Sequence, residues 1–268
     1  MIERKIVLVT GASSGFGQVT ASLLSERGFT VFGTSRKPPR DQRAKFEILS
    51  LDVDSDRSAN ACVAAVVKKA GPVDVLVNNA GYALTGGIEE TSLEEAKAQF
   101  ETNFFGAVRM VKAVLPSMRQ RRRGKIINIG SVAGTIPVPF EGFYAAAKAA
   151  LLAYSEALRH EVKSFNIDVS VVEPGFFKTN IGSARRLAAE SIEDYREARQ
   201  RAVGRLEQHL AAGANPNVVA ETILRIIEIP SPRLRYPVGR EKRYAFVKKI
   251  TPARTFESSI RRHWRLDE

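Results

Sequence analysis

Residues 6–17 read IVLVTGASSGFG, a run of mostly branched apolar residues that enters a turn with three glycines. The apolar run predicts a buried strand, and the residues after Gly17 have the periodicity of an amphipathic helix. Glycines in such a turn let backbone N–H groups approach a pyrophosphate, and the helix N-terminus attracts its negative charge. The stretch therefore predicts dinucleotide binding, with an ordinary strand-to-helix turn as the alternative.

Short apolar runs continue to alternate with longer amphipathic segments along the chain. The predicted strands are Ile6–Thr10, Thr30–Thr34, Phe46–Leu51, Val73–Val77, Lys125–Ile129 and Asp168–Val172. The predicted helices are Gly17–Arg27, Ser55–Lys69, Leu93–Gln120, Ala145–Ser164 and Ile192–Ala211. Apolar strands that alternate with helices form parallel sheets covered on both faces. The sequence thus predicts an α/β protein with a doubly wound parallel sheet, a Rossmann fold, in a single domain over residues 1–268.

The composition excludes several classes of protein. The chain has 268 residues, of which 44% are hydrophobic and 26% charged, as in globular proteins. Its single cysteine, Cys62, cannot form an internal disulfide, and no His/Cys spacing indicates a metal site. The N-terminus enters the first strand without a signal-peptide pattern, and no apolar run is long enough to span a membrane. We therefore expect a cytoplasmic protein.

The net charge of +12 depends largely on a basic C-terminal extension, residues 233–268, with eleven basic and four acidic residues. The simplest interpretation is two short amphipathic helices, Tyr244–Ile250 and Phe256–Trp264, whose charges face water. A second is peripheral contact with an anionic membrane, with Phe256 and Trp264 at the interface. Nucleic-acid binding ranks last and is not expected, because no recognition motif accompanies the charge.

The end of the second predicted strand indicates which dinucleotide is bound. Residues 33–37 read GTSRK and contain no carboxylate to accept a hydrogen bond from a ribose 2′-OH. Arg36 can bind a 2′-phosphate, and Ser13 and Ser14 can add hydroxyl donors. NADP(H) is therefore expected in preference to NAD(H). In the alternative, Arg36 is a solvated charge and Asp41 binds the ribose.

Further motifs follow in a fixed order: Asn78-Asn79-Ala80-Gly81, Asn103, Ser131, Tyr144-Ala145-Ala146-Ala147-Lys148 and Pro174-Gly175. Together with the glycine turn they make the chain resemble the short-chain dehydrogenase/reductase family through about residue 180. Within that family, residues 106–110, 131–134 and 235–239 look most like the branch with hydroxysteroid and retinol dehydrogenases.

The resemblance implies a catalytic set of Asn103, Ser131, Tyr144 and Lys148. Tyr144 would act as acid and base, and Ser131 would hydrogen-bond the substrate oxygen. Lys148, four residues after Tyr144 and so on the same helix face, would lower the pKa of the phenol together with the positive charge of the oxidised nicotinamide, and would hold the nicotinamide ribose. Asn103 would anchor a water that relays protons to Lys148.

The resemblance also assigns a set of residues to cofactor binding. They are Gly11, Ser13, Ser14, Gly15, Phe16, Gly17, Arg36, Asp52, Val53, Asn79, Ala80, Gly81, Tyr144, Lys148, Pro174, Gly175 and Thr179. Asp52 is the family's adenine contact in this assignment, and a helix N-cap is its alternative. By the same resemblance we expect a homodimer or homotetramer, formed through Leu93–Gln120 and Ala145–Ser164; in the alternative, the apolar stripes of these helices belong to the core.

The substrate is indicated by apolar residues that flank the expected site, within or beside a lid over about residues 176–212. They are Pro137, Val138, Phe140, Phe143, Phe176 and Phe177. Such a lining favours an apolar alcohol and its ketone or aldehyde, of steroid, retinoid or lipid type. The alternative is that these side chains pack the lid against the sheet. Other possible functions are a 3-oxoacyl-thioester reductase and a non-catalytic NADP-binding regulatory protein.

Overall fold

The computed structural model describes residues 4–38, 45–178 and 185–268. The strands in this part of the chain are β1 (Ile6–Val9), β2 (Thr30–Ser35), β3 (Glu47–Ser50), β4 (Val75–Asn78), β5 (Leu84–Thr85), β6 (Gly124–Ile129), β7 (Ile167–Pro174), β8 (Arg186–Leu187) and β9 (Arg235–Val238). Seven of them form one parallel sheet in the order β3-β2-β1-β4-β6-β7-β9, and β5 pairs with β8. The predicted doubly wound parallel sheet is confirmed.

Helices cover both faces of the seven-stranded sheet. They are α1 (Gly15–Glu26), α2 (Asp56–Ala70), α3 (Leu93–Phe100), α4 (Gly106–Arg121), α5 (Gly142–Val162), α6 (Arg196–Ala211), α7 (Asn217–Glu228), α8 (Tyr244–Ile250) and α9 (Ala253–His263). No helix within the described ranges is long and apolar enough to cross a bilayer.

The core consists of two apolar layers, one on each side of the sheet, because successive strand side chains point to opposite faces. Leu8 of β1 packs with residues of α2, α4 and α5 in one layer. Its neighbours Val7 and Val9 pack with residues of α1 and α7 in the other. All four residues of β1 are buried, as a strand covered on both faces requires.

The predicted helix Leu93–Gln120 is interrupted in the structure. Helix α3 ends at Phe100, a π-helical turn spans Glu101–Phe105, and α4 begins at Gly106. A π turn keeps the chain helical and inserts one extra residue, so the apolar periodicity of the sequence does not reveal it. The turn contains Asn103, one of the predicted catalytic residues.

The sequence prediction omits two elements of the C-terminal third, α7 and β9. Strand β9 is at the sheet edge and contains Pro237, and both features weaken the strand signal of its sequence RYPV. Helix α7 has buried residues at helical spacing, among them Val219, Ile223 and Ile227. This apolar spacing is visible in the sequence, so α7 could have been predicted from it. The basic C-terminal extension therefore begins as a strand of the main sheet.

Candidate active site

The glycine turn joins β1 to α1 at the carboxyl edge of the sheet. Gly11 has φ +65°, a conformation that side chains disfavour, and a Cβ there would lie 3.0 Å from Ala80. Gly17 lies beneath the turn, because a Cβ at this position would lie 2.3 Å from the carbonyl oxygen of Gly11. Five predicted cofactor residues of the turn line a cavity of about 1050 Å³; they are Gly11, Ser13, Ser14, Gly15 and Phe16.

Asn79 fixes the turn to the end of β4. Its side-chain amide donates hydrogen bonds to the carbonyl oxygens of Thr10 (2.9 Å) and Gly11 (3.0 Å). The hydroxyl of Thr10 accepts hydrogen bonds from the backbone N–H groups of Asn79 and Ala80, both at 2.9 Å. The predicted residues Asn79, Ala80 and Gly81 all line the cavity. This network gives the turn a fixed shape before any ligand binds.

The carboxyl ends of β2 and β3 form the outer part of the same cavity. Arg36 is exposed there, and Asp52 and Val53 are also part of the wall. Asp52 is not the N-cap of α2, since Ser55 accepts the capping hydrogen bond from the N–H of Ser58 at 3.2 Å. The predicted contact Thr179 and the alternative ribose ligand Asp41 lie outside the described residues.

Ser131, Tyr144 and Lys148 meet at the centre of the cavity. Tyr144 and Ser131 share a side-chain hydrogen bond. The ammonium of Lys148 is buried, donates to the carbonyl oxygen of Ile129 at 2.8 Å, and lies 5.8 Å from the centroid of the Tyr144 ring. The structure therefore brings together three side chains that are spread over 18 residues of the sequence.

Burial shifts the pKa values of two side chains in this cluster, Tyr144 and Lys148. Burial raises the pKa of Tyr144 to about 12, against a lowering by the Ser131 hydrogen bond and with a further rise from Glu141. Burial also lowers the pKa of Lys148 to about 8. In the chain without cofactor, desolvation outweighs the Ser131 hydrogen bond. Tyr144 is thus protonated at neutral pH. The lowering expected from Lys148 together with the oxidised nicotinamide stays a prediction.

Asn103 lies in the π-helical turn and is buried. Its side-chain oxygen accepts from the backbone N–H of Tyr82 at 3.0 Å, and its amide donates to the carbonyl oxygen of Tyr82 at 2.8 Å. A Cβ on Gly81 would lie 3.0 Å from that side-chain oxygen. Asn103 lines the cavity and holds the segment after β4 in place.

Pro174 and Gly175, at the end of β7, are also part of the cavity wall. Glu241, which sequence reasoning missed, accepts a hydrogen bond from the N–H of Phe176 at 3.2 Å. A Cβ on Gly175 would lie 2.0 Å from the same carboxylate, so glycine is needed for this approach. The C-terminal extension therefore contacts the cofactor end of the site.

The cavity continues beyond Tyr144 into an apolar chamber. Of the predicted apolar lining, Pro137, Val138, Phe176 and Phe177 are in its wall. Phe140 and Phe143 lie outside it. Phe140 packs instead with the apolar cluster around Val138, and its φ of +62° places it in a turn before α5. For Phe140 the packing alternative is correct.

Two helices complete the chamber: α6, which lies within the predicted lid, and α9, which the sequence did not assign to the site. Leu206 and Leu210 of α6 and Ile260 of α9 line it, together with the buried Trp264. A stack of rings joins the two helices: Phe176 on His209 at 4.8 Å, and His209 on His263 at 4.9 Å between centroids. The amphipathic pattern of residues 256–264 predicted a helix, but not which surface it covers.

Glu141 and Arg185 are charged residues of the cavity wall with buried side chains. Glu141 is 6% exposed and accepts a hydrogen bond from the hydroxyl of Thr85 at 3.3 Å. Burial raises the pKa of its carboxyl to about 7, partly offset by the charge of Arg185. Within the described residues, no group of His, Cys, Asp or Glu side chains is arranged to hold a metal ion.

A nucleotide-shaped cradle beside a serine, a tyrosine and a lysine defines a class, the nicotinamide-dependent oxidoreductases of the Rossmann fold. The sequence model of the short chain dehydrogenases matches residues 5–190. The chain belongs to this family, as its motifs indicated.

Several proteins of known sequence or structure are similar over most of the chain. A 3-ketodihydrosphingosine reductase of Bacteroides thetaiotaomicron is 42% identical over 249 residues, 92% of each chain. Retinol dehydrogenase 8 of Homo sapiens is 36% identical over 255 residues, 86% of this chain and 80% of its own length. A short-chain dehydrogenase from Streptomyces avermitilis has 33% identity and a TM-score of 0.84, with both chains covered completely.

Proposed function

We propose that this protein is an NADP(H)-dependent oxidoreductase that interconverts an apolar alcohol with its ketone or aldehyde. One observation carries the proposal: a single cavity contains the glycine turn, the Ser131–Tyr144–Lys148 cluster and the apolar chamber. A cofactor in the cradle and a substrate in the chamber would therefore meet at Tyr144. A non-catalytic role would not explain why the Ser131–Tyr144–Lys148 cluster lies between the cradle and the chamber.

The cradle fits the cofactor in its shape and its charge. Backbone N–H groups around Gly11 and Gly15 would hold the pyrophosphate at the N-terminus of α1. Arg36 would bind the 2′-phosphate, and Asp52 and Val53 would contact the adenine. Lys148 would hold the nicotinamide ribose. Pro174, Gly175 and Thr179 would hold the nicotinamide carboxamide. Asn79 would steady the sheet edge beside the cofactor, and Ala80 and Gly81 would line the cradle there.

When bound, the nicotinamide supplies or accepts the hydride. In the direction of reduction, Tyr144 donates its proton to the carbonyl oxygen while Ser131 hydrogen-bonds the same oxygen. The raised pKa of Tyr144 keeps the phenol protonated and supports this role. Lys148 then returns a proton to Tyr144, and a water held by Asn103 connects Lys148 to solvent.

The substrate is proposed to be a lipid-like ketone or its alcohol. The chamber wall of Val138, Leu206, Leu210, Ile260 and Trp264 supports an apolar chain. Similarity to a 3-ketodihydrosphingosine reductase over 92% of the chain supports a ketone of lipid type and the direction of reduction. We propose that the lid over residues 176–212 includes α6, which supplies part of this wall.

The assembly is proposed to be a homo-oligomer in contact with a membrane surface. Phe105, 45% exposed at the start of α4, supports packing between copies through α4 and α5. On α8, the apolar side chains of Tyr244, Val247 and Ile250 are exposed beside two lysines. This surface supports peripheral contact with anionic lipid, and Tyr244 and Val247 also border the cavity.

The purified protein tests the proposal directly in an assay of NADPH oxidation. The substrates are a panel of apolar ketones of increasing chain length, with a sugar ketose and a keto acid as polar comparisons. We expect turnover that rises with chain length until the chamber is filled. Turnover of the polar compounds alone, or NADPH binding without any turnover across the panel, contradicts the proposal.

A further inference from the structure

Four described carboxylates line the cavity, and their positions divide them into two groups. Asp52 and Asp54 follow β3 at the outer end, and Glu241 accepts a hydrogen bond from the N–H of Phe176. Glu141 is different, because it is one helical turn from Tyr144 and belongs to the substrate chamber. It is therefore the carboxylate whose charge acts on the reacting end of a substrate.

Glu141 is buried without a matching cation in direct contact. Within the described residues, its carboxylate receives one hydrogen bond, from Thr85, and no Lys, Arg or His nitrogen within 4.0 Å. Arg185 lowers the pKa of Glu141 from a greater distance, and its own ion-pair partner is Glu207, at 3.7 Å. An acidic group in an apolar chamber is costly unless a ligand of opposite charge compensates it.

We propose that Glu141 binds a cationic amine of the substrate, so that the preferred substrate is a long-chain α-amino ketone. Glu141 is the N-cap residue of α5, three residues before Tyr144; both line the cavity, and the charge of Glu141 acts on the Tyr144 phenol. A substrate with an ammonium and a carbonyl on neighbouring carbons fits two such groups in one wall. The inference rests on the proposed function and assigns it a substrate class.

The amine takes no part in bond making during the reaction. Hydride passes from NADPH to the carbonyl carbon, the carbon–oxygen double bond becomes a single bond, and the phenol proton of Tyr144 passes to the oxygen. Glu141 holds the ammonium through a charge-assisted hydrogen bond in a site with little water, where such bonds are strong. The apolar chain extends toward Leu206 and Ile260.

A competition of substrates tests the inference. We compare kcat/KM with NADPH for a long-chain α-amino ketone and for its N-acetyl derivative, which has the same chain but no charge. The wild-type protein is expected to prefer the free amine about ten- to a hundredfold, the range of a hydrogen bond to a charged group. Equal rates, or a preference for the N-acetyl compound, overturn the proposal without any variant.

The variant Glu141→Gln preserves shape and removes the charge. We expect it to lose most of the preference for the free amine, whereas the matched control Glu207→Gln keeps it. Glu207 is two-thirds exposed and is the ion-pair partner of Arg185, so the control changes charge near the same chamber. If Glu141→Gln prefers the free amine as strongly as the wild type does, Glu141 contacts only other protein groups, and the proposal is overturned.

A binding measurement that needs no catalysis tests this inference separately from the proposed function. Trp264 is the single tryptophan and lines the chamber, so its fluorescence reports occupancy. We titrate the NADPH complex with a long-chain primary amine and with the alcohol of equal length. Tighter binding of the amine, lost in Glu141→Gln, supports the amine site even if no ketone is reduced. Equal binding of the two compounds contradicts it.

Discussion

Burial controls the chemistry of individual side chains in this site. The same desolvation acts on three ionisable groups: it raises the pKa of Tyr144 and Glu141 and lowers the pKa of Lys148. Each shift favours the neutral form in the folded chain. Because the unfolded chain has ordinary pKa values, each shift also links stability to pH.

Glu141 gives a prediction about stability. Its pKa rises from 4.5 to about 7 on folding, so the folded chain holds the proton more tightly. The wild-type protein therefore loses stability as pH rises from about 4.5 through 7. Glu141→Gln escapes this loss and should be more stable than wild type above pH 7, by up to about 3 kcal/mol. Below about pH 4.5 the difference should vanish.

Urea unfolding of both proteins at several pH values measures this difference. Glu207→Gln is the control, since its side chain is 66% exposed and should give nearly the same offset at every pH. A Glu141→Gln variant that is less stable than wild type at high pH would show that the carboxylate is stabilised by the fold.

Arg36 gives a second prediction at this scale. It is exposed in the outer wall of the cavity, where a 2′-phosphate would lie. Arg36→Asp should lower the ratio of NADPH to NADH affinity by at least about tenfold, because it replaces a charge-assisted contact with a repulsive one. Titration with both cofactors measures the ratio. Lys37→Asp is the neighbouring control, and an unchanged ratio in Arg36→Asp rejects the assignment of the 2′-phosphate.

The sequence predicted which residues belong to the candidate site better than it predicted their pKa values. The spacing of Tyr144 and Lys148, with the family resemblance for Ser131, was sufficient to predict that the three side chains meet. The pKa values were not predictable, because they depend on how much water the finished fold excludes. Glu141 lacked any spacing signal, since its burial results from contact with β5 and its neighbour Gly86, which is remote in sequence.

At the scale of elements, β9 is the strand whose attachment most affects the site. Arg235 of β9 makes two hydrogen bonds to the buried carboxylate of Glu173 on β7, at 2.7 and 2.8 Å. It also donates to the hydroxyl of Thr135, which follows the Ser131 segment. One guanidinium thus connects the sheet edge with the loop after Ser131, a predicted catalytic residue.

Arg235→Met should leave Glu173 buried and unpaired. We expect a loss of about 2 kcal/mol in the free energy of unfolding, less than for a fully buried pair because the guanidinium is one-third exposed. Chemical denaturation measures the loss. Adding Glu173→Gln should restore part of it, and Arg233→Met, at an exposed neighbour, should change little. Full stability in Arg235→Met contradicts this account.

Helices and strands with a clear apolar pattern could be predicted from the sequence. Elements that depend on contacts with distant parts of the chain could not. The strands from β1 to β7 of the main sheet follow from their apolar runs. The break between α3 and α4 does not, because a π turn keeps the helical pattern. Strand β9 escaped prediction since RYPV becomes a strand through its pairing with β7.

At the scale of the molecule, the C-terminal extension closes the active site. Its first strand completes the sheet, Glu241 contacts the segment after β7, and α9 forms one wall of the chamber. Trp264 is 3% exposed and is therefore part of the interior, so the predicted placement of this residue at a membrane interface is wrong. Residues of the extension thus form part of the wall of the candidate active site.

The central claim is that Tyr144 exchanges a proton with a substrate held between the cofactor cradle and this chamber. Its most direct test is Tyr144→Phe, measured for NADPH binding and for ketone reduction in the same preparation. We predict unchanged NADPH affinity and a fall in kcat of at least about a hundredfold, the usual contribution of a positioned acid. A variant that binds NADPH and reduces the ketone at the wild-type rate would contradict the account.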